Sequence, residues 1–273
     1  AVTYIKSISQ IKQAIKTQSV DVVVNFYDLM AGLTYGLFTP KVPCVCISHQ
    51  YLFLHPDYVL PETHKAELYL MKFFTKVTAS KASLLLALST KRMPDVPEQN
   101  MVIVPPLLRK EVYNLPVETG NYIHGYMLND TYADEIVKFQ ANHPDVYVDF
   151  FWDRKDAEPE TVVNDHLTFH RLNDRLFLER MAGCKAYATT AGFESVCEAM
   201  YMGKPVMMVP THIEQECNAF EAANTGAGIV ANEFDLSKLL DFIPQYKASP
   251  DFKDWAGEAE VRIIKALEGV VKK

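Results

Sequence analysis

One segment of the sequence combines a glycine turn with carboxylates at regular spacing. An apolar run over residues 185–189 leads into Gly192, and a helix is predicted over residues 193–202 because Gly203 and Pro205 follow it. Glycine lets the backbone approach a ligand closely, and the amides in the first turn of a helix attract anions. The alternative is a glycine that serves only packing. We therefore predict a diphosphate seat formed by Gly192 and the first helical turn, Phe193, Glu194 and Ser195.

Further polar residues lie where they would reach the rest of a nucleotide sugar. Glu198 lies six residues beyond Gly192, and its carboxylate could accept two hydrogen bonds from a ribose diol; otherwise it is a solvated helix acid. A second buried strand over residues 206–209 precedes Glu214, Gln215 and Asn218, so these should open at the same sheet edge. They are predicted to bind sugar hydroxyls.

Some of these positions have simpler interpretations. Ser195 could satisfy the helix end, and Glu194 could interact favourably with the helix dipole while pointing away from the diphosphate. Asn218 could be a surface amide. His212 either touches phosphate or is a turn histidine. His166 and His170 stand four apart in a predicted strand, where they would share a face, and no metal site is predicted there.

The ordered positions of this segment resemble the nucleotide-sugar signature of GT-B glycosyltransferases. The similarity is to the MurG-like (family 28-like) group and to the UDP-glucuronosyl/UDP-glucosyltransferases. It rests on Gly192-x-x-Ser195-x-x-Glu198-Ala199-x-x-x-Gly203-x-Pro205, then Pro210, then Glu214-Gln215-x-x-Asn218-Ala219. Many relatives carry Asp where this chain has Glu214, which leaves the preference among hexoses open.

The resemblance implies an α/β protein of the GT-B fold, with two Rossmann-like domains whose parallel sheets face each other across a cleft. It implies a hexosyltransferase that uses a nucleotide-diphosphate sugar, uridine-based, as substrate and needs no cofactor or metal. It further implies an inverting, single-step displacement. In the family, the backbone at the position of Leu172 hydrogen-bonds the nucleobase; a core or cap role for Leu172 is the alternative.

Alternating helices and apolar strands predict parallel sheets wrapped on both faces. We predict an acceptor-side domain at residues 1–115 and a donor-binding domain at residues 116–250. The terminal helix, residues 251–273, would pack back on the first domain. A charged stretch over residues 153–164 is predicted to be a surface loop.

The first predicted domain begins on a helix rather than on a strand and a glycine-rich loop. At about 30 residues per βα unit, roughly 70–100 residues of the fold are expected to be missing. The histidine that usually acts as base in the family belongs to that first loop and has no counterpart here. His49, after one predicted strand, and Asp28, after another, are the remaining candidates for a general base. Asp28 is also a candidate helix N-cap.

Composition bounds the partners and the compartment. The 273 residues are 49% hydrophobic and carry a net charge of −7 without long basic runs, which disfavours nucleic acid. Five scattered cysteines suggest reduced thiols in the cytoplasm. The aromatic segment 50–74 has two interpretations. The simpler is that it packs in the core. The other is that it contacts a membrane or a lipid-linked or glycan acceptor, which would place the protein at the inner face of a membrane.

Two other functions fit the same fold. A UDP-GlcNAc 2-epimerase would require further acid and base residues, which the sequence does not identify. A chain that lacks the opening βα units could also be a nucleotide-sugar-binding module without turnover.

Overall fold

The computed structural model describes residues 2–128 and 130–272, so the first residue of the predicted amino-terminal helix and the last residue of the terminal segment lie outside it. Its helices and strands, in chain order, are α1 (Val2–Thr17), β1 (Val23–Asn25), α2 (Leu29–Phe38), β2 (Cys44–Ser48), α3 (Lys65–Thr78), β3 (Leu84–Leu88), β4 (Met101–Val104), β5 (Tyr122–Met127), α4 (Ala133–Asn142), β6 (Tyr147–Trp152), β7 (Glu160–Asn164), β8 (Leu167–Arg171), α5 (Asp174–Gly183), β9 (Ala186–Thr189), α6 (Phe193–Tyr201), β10 (Val206–Met208), α7 (Ile213–Asn224), β11 (Gly228–Val230), α8 (Ser237–Phe242), α9 (Pro250–Ala256) and α10 (Ala259–Val271).

The chain divides into two compact units. Unit 1 comprises Ala1–Leu107 and Asp254–Lys273, and unit 2 comprises Leu108–Lys253. The predicted divisions lay at residues 115 and 250. The acceptor role of the first unit and the donor role of the second stay predictions.

Unit 1 is built on a four-stranded parallel sheet in the order β1-β2-β3-β4. Every residue of β2 is buried, as expected for a strand covered on both faces. The carboxy-terminal segment belongs to this unit, where the indole Nε1 of Trp255 donates to the carbonyl oxygen of Ser89 at 2.8 Å. The aromatic segment is divided: Tyr51 and Phe53 are buried and Tyr58 packs against the same core, whereas Tyr69 and Phe73 are exposed. The core interpretation therefore holds for the first part of the segment and not for these two residues of α3.

Unit 2 is built on a seven-stranded sheet in the order β11-β10-β9-β5-β6-β8-β7. All its pairs are parallel except β7 with β8. The approach of the strands is close at Gly228, where a Cβ would lie 1.9 Å from the carbonyl oxygen of Val206. The prediction of an α/β fold with parallel sheets is confirmed.

The predicted surface loop over residues 153–164 is wrong in its second half, which forms β7. All five residues of this strand are exposed, so the sequence lacks the alternation of apolar and polar residues by which a half-buried strand is recognised. Pairing with β8 at the sheet edge, rather than burial of its own side chains, makes this segment a strand.

No helix in the described part of the chain is long and apolar enough to cross a membrane.

Candidate functional site

The strand order of unit 2 fixes one edge of its sheet as a ligand site. The chain runs from β5 outward through β6 to β8, then returns to the other side of β5 and continues through β9, β10 and β11. In such doubly wound sheets, ligands bind outside the carboxyl ends of the strands where the order reverses. Here the reversal lies between β5 and β9. The turn after β9, which contains Gly192, therefore lies at the switch point.

The turn after β9 holds a strained residue. Ala191 is buried and has φ of +65°, a left-handed conformation that costs a residue with a Cβ about 1–2 kcal/mol. Asn218, on α7, donates from its side-chain amide to the carbonyl oxygen of Ala191 at 3.2 Å. Buried Asn218 thus holds the turn that was predicted to seat the diphosphate, and strain of this kind tends to cluster at ligand sites.

Gly192 is the N-cap residue of α6, and among the described residues no contact requires it to be glycine. Its φ of −63° and ψ of 131° suit any residue, and an added Cβ would meet only the hydroxyl of Ser195, at 3.7 Å. Ser195 donates this hydroxyl to the carbonyl oxygen of Gly192 at 3.2 Å, and Glu194 is exposed. The glycine leaves the first turn of α6, which begins at Phe193, open to close approach from outside.

Glu198 is buried and forms an ion pair that the sequence did not reveal. Its two carboxylate oxygens accept hydrogen bonds from Nε of Arg109, at 2.7 Å, and from Nη2, at 2.6 Å. The Glu198 side chain is only 2% exposed, whereas that of Arg109 is 36% exposed. The hydrogen bond to Glu198 raises the pKa of Arg109. A ribose diol cannot reach this carboxylate while Arg109 covers it.

Arg109 also lies near α5. Its Nη1 is 3.9 Å from a carboxylate oxygen of Asp174, the first residue of that helix, and its guanidinium lies 5.5 Å from the centre of the Phe177 ring. Arg109 was missed because it lies in a proline-containing stretch outside the predicted donor-binding domain, which was expected to begin at residue 116. No local pattern pairs it with a glutamate 89 residues later.

The remaining predicted donor residues surround neighbouring strand ends. Gln215 accepts with Oε1 from the backbone N–H and the hydroxyl of Thr211, at 2.9 and 2.8 Å, and these contacts fix the loop after β10. His212 is the exposed N-cap residue of α7, and Glu214 in its first turn is half-buried. Leu172 follows β8, and its backbone N–H donates to the carbonyl oxygen of Trp152 at 3.2 Å.

The candidate bases Asp28 and His49 follow β1 and β2, which are neighbouring parallel strands of unit 1. The carboxylate of Asp28 accepts from the backbone N–H of Ala31 at 2.7 Å and caps α2, as the alternative interpretation predicted. His49 is half-buried, and its ring centre lies 6.1 Å from that of Phe53. The structure assigns neither residue a catalytic role.

Asparagine caps a helix as well as aspartate does but cannot accept a proton as a base. We therefore expect Asp28→Asn to keep the stability of the protein within about 0.5 kcal/mol. The rate of glycosyl transfer by Asp28→Asn measures how much Asp28 contributes to catalysis. Asp28→Ala, which also loses the helix cap, is the comparison. Full activity in Asp28→Asn leaves Asp28 a cap only.

The histidines at positions 166 and 170 serve separate contacts. His170 Nε2 lies 3.1 Å from a carboxylate oxygen of Asp149, while Nδ1 of His166 contacts the carbonyl oxygen of Pro144. The described residues contain no cluster of three or more His, Cys, Asp or Glu side chains that could hold a metal ion.

The sequence was compared with known families and structures. Residues 1–246 match the profile of glycosyl transferase family 1. The chain belongs to this family. It is therefore a glycosyltransferase of the GT-B type, as the motif around Gly192 predicted. No curated protein sequence matches the chain significantly.

Solved structures similar to this glycosyltransferase share its GT-B fold at low sequence identity. The glycosyltransferase of kitacinnamycin is 14% identical, with a TM-score of 0.67, over 98% of this chain and 80% of that one. Phytolacca americana UGT2, complexed with UDP-2-fluoroglucose and pterostilbene, is 12% identical, with a TM-score of 0.67, over 100% and 81%. The spinosyn rhamnosyltransferase SpnG, complexed with thymidine diphosphate, is 13% identical, with a TM-score of 0.63, over 97% and 78%.

Proposed function

We propose that this glycosyltransferase moves a hexose from a UDP-sugar to an acceptor hydroxyl, with inversion at the anomeric carbon and without a metal ion. The observation that carries the proposal is the turn at the switch point. There a strained, buried Ala191 leads into Gly192, a glycine that neither its backbone conformation nor its neighbours require. A ligand that comes close to the backbone is a direct reason for such a glycine.

The diphosphate is assigned to the first turn of α6, Phe193 to Ser195. The backbone N–H groups in the first turn of a helix point out of its amino-terminal end, and the helix dipole places about half a positive charge there. These groups would stabilise the charge that develops on the leaving diphosphate. We assign Glu198 to the ribose diol and the backbone carbonyl of Leu172 to the nucleobase. The sugar side of the diphosphate is assigned to Glu214, Gln215, Asn218 and His212.

The displacement itself is a single step. The acceptor oxygen forms a bond to the anomeric carbon while the bond from that carbon to the diphosphate oxygen breaks, and the acceptor proton passes to a base. His49 is assigned as that base because an imidazole changes protonation near neutral pH. The uridine nucleotide is supported by the UDP-2-fluoroglucose complex of one structural relative and by the UDP complex of another, LpCGTa. We assign the acceptor as a hydroxyl group of a lipid-linked molecule or a glycan. The reaction would then take place in the cytoplasm, at the inner face of a membrane.

Calorimetric titration with UDP and with UDP-GlcNAc tests the donor assignment. We expect micromolar binding that is the same in magnesium and in EDTA, and that weakens about tenfold, or roughly 1.4 kcal/mol, in Glu198→Gln. The near-isosteric change avoids the cavity that alanine would leave. Asp145→Asn is the matched control, because it removes an exposed acid that precedes β6, at the opposite edge of the sheet.

Several outcomes would contradict parts of the proposal. Binding that requires magnesium would contradict the metal-free mechanism, and unchanged affinity in Glu198→Gln would remove the ribose assignment. UDP binding without any transfer to a panel of acceptors would favour a binding module. Retained anomeric configuration in a transfer product, measured by NMR, would exclude the single displacement.

A further inference from the structure

The helices that follow β8, β9 and β10, one of which forms the proposed diphosphate seat, carry acids in their first turns. Glu194 lies in the first turn of α6, Glu214 and Glu216 lie in the first turn of α7, and Asp174 is the first residue of α5. Neither α6 nor α7 carries a basic residue in its first turn by sequence. Half a positive charge at one helix end does not offset a diphosphate beside these carboxylates. Binding without a metal therefore calls for a cation from another element.

Arg109 is positioned to supply this charge. Side chains on a helix tilt toward its amino terminus, so the carboxylate of Glu198 lies over the turn that contains Ser195 rather than over its own Cα. The guanidinium bound to that carboxylate is then about one turn, or roughly 5 Å, from the first turn of α6. Its third nitrogen, Nη1, points toward exposed Asp174, and the side chain keeps 36% of its surface exposed.

The same ion pair obstructs the ribose assignment of Glu198. Both oxygens are bound by Arg109, and the side chain has almost no exposed surface. The ribose diol reaches the carboxylate only if Arg109 withdraws. A withdrawn arginine needs a new anionic partner, because breaking a buried pair without replacement is costly.

We propose that Arg109 is the diphosphate-binding cation of the donor site and that donor binding exchanges its partner: the ribose diol takes the Glu198 carboxylate, and the diphosphate takes the guanidinium. This inference rests on the proposed donor site. The exchange leaves no buried charge unpaired in either state. Two hydroxyl donors replace two N–H donors at Glu198, and the planar fork of arginine fits phosphate oxygens as it fits carboxylate oxygens.

The exchange predicts that Arg109 matters to UDP more than to uridine. We expect Arg109→Met to weaken UDP binding at least tenfold while uridine, which offers the diol without phosphates, binds as well as before or more tightly. Arg109→Lys, which keeps the charge without the fork, should restore part of the UDP affinity. Both ligands are titrated calorimetrically against the full chain.

Matched variants control for charge and folding. Arg175→Met makes the same charge change at an 88% exposed arginine of α5 that pairs with Glu179, and should leave both affinities unchanged. If Arg109→Met unfolds because Glu198 loses its partner, Arg109→Met combined with Glu198→Gln removes both charges together. Its UDP affinity should then fall further than that of Glu198→Gln alone, with the uridine affinity equal in the two.

The outcomes separate this inference from the donor assignment. Equal losses for UDP and uridine in Arg109→Met would make Arg109 a residue that only positions Glu198. Equal gains in affinity for UDP and uridine would mean that Arg109 only covers the carboxylate of Glu198. Either result overturns the exchange while the donor site stands. Absence of UDP binding by the unaltered chain would contradict the donor site itself, and the exchange with it.

Discussion

Gly192→Asp is expected to abolish nucleotide binding while the fold remains at least as stable as before. Aspartate is among the preferred N-cap residues, and a carboxylate at a helix amino terminus interacts favourably with the dipole. The position accepts a side chain, since its φ is −63° and the nearest atom to an added Cβ is 3.7 Å away. The same carboxylate would occupy the first-turn amides of α6 and repel a diphosphate. We expect at least a hundredfold loss of UDP affinity, about 2.7 kcal/mol.

Thermal unfolding and calorimetry on the same preparation measure the two effects. Gly192→Asn is the matched control, because it caps the helix about equally well but carries no charge. It should keep the stability and lose less affinity than Gly192→Asp. A lower melting temperature in both variants would mean that Gly192 serves packing. Unchanged UDP affinity in Gly192→Asp would place the diphosphate elsewhere.

The local signals in the sequence were strong enough to place most elements of unit 2. Helix α6 begins at Phe193, directly after the glycine, and β9 and β10 are the two apolar runs on either side of it. The turn at Gly192 was predicted because each of its determinants, an apolar run, a glycine and a helix stop, lies within a few residues. Asn173 caps α5, with its side-chain oxygen accepting from the N–H of Leu176 at 2.9 Å, and asparagine is among the preferred residues at this position.

What could not be predicted depends on contacts between distant segments. Arg109 and Glu198 meet only because the sheet brings the start of unit 2 beside α6, and an arginine among prolines gives no local sign of this. Asn218 was predicted to bind sugar, but its amide group holds Ala191, whose left-handed backbone no sequence pattern marks. Strand β7 depends on pairing with β8 rather than on its own residues.

The sheet of unit 2 also contains a histidine whose protonation state follows from its surroundings. His124 on β5 is fully buried and stacks on Tyr187, with ring centres 5.1 Å apart, while Phe151 and Phe177 contact its edges or face at 5.3 and 4.7 Å. Neither ring nitrogen has a hydrogen-bond partner among the residues that the structure describes. Burial lowers the pKa of His124 well below its ordinary value, and the charges of His170, Arg180 and Lys204 lower this pKa further.

The folded protein therefore holds His124 neutral at a pH where the unfolded chain protonates it. Above the unfolded pKa of about 6.5 both states are neutral, and His124 contributes no pH dependence. Below pH 6.5 the unfolded state binds a proton that the folded state does not. The free energy of unfolding should then fall as the pH decreases below 6.5, with a slope that approaches about 1.4 kcal/mol for each pH unit while the folded state stays unprotonated.

His124→Phe isolates this contribution, because phenylalanine fits an aromatic site and does not titrate. Urea unfolding of the two proteins between pH 5 and pH 8 should give curves that run parallel above pH 7. Below pH 6.5 the unaltered chain should lose stability relative to the variant with the slope given above. Parallel curves for His124→Phe down to pH 5 would mean that the folded core accommodates the imidazolium, which requires a water or a rearranged acid beside His124. Retained stability at acid pH in the variant would instead identify the buried imidazole as the group that limits this glycosyltransferase below neutral pH.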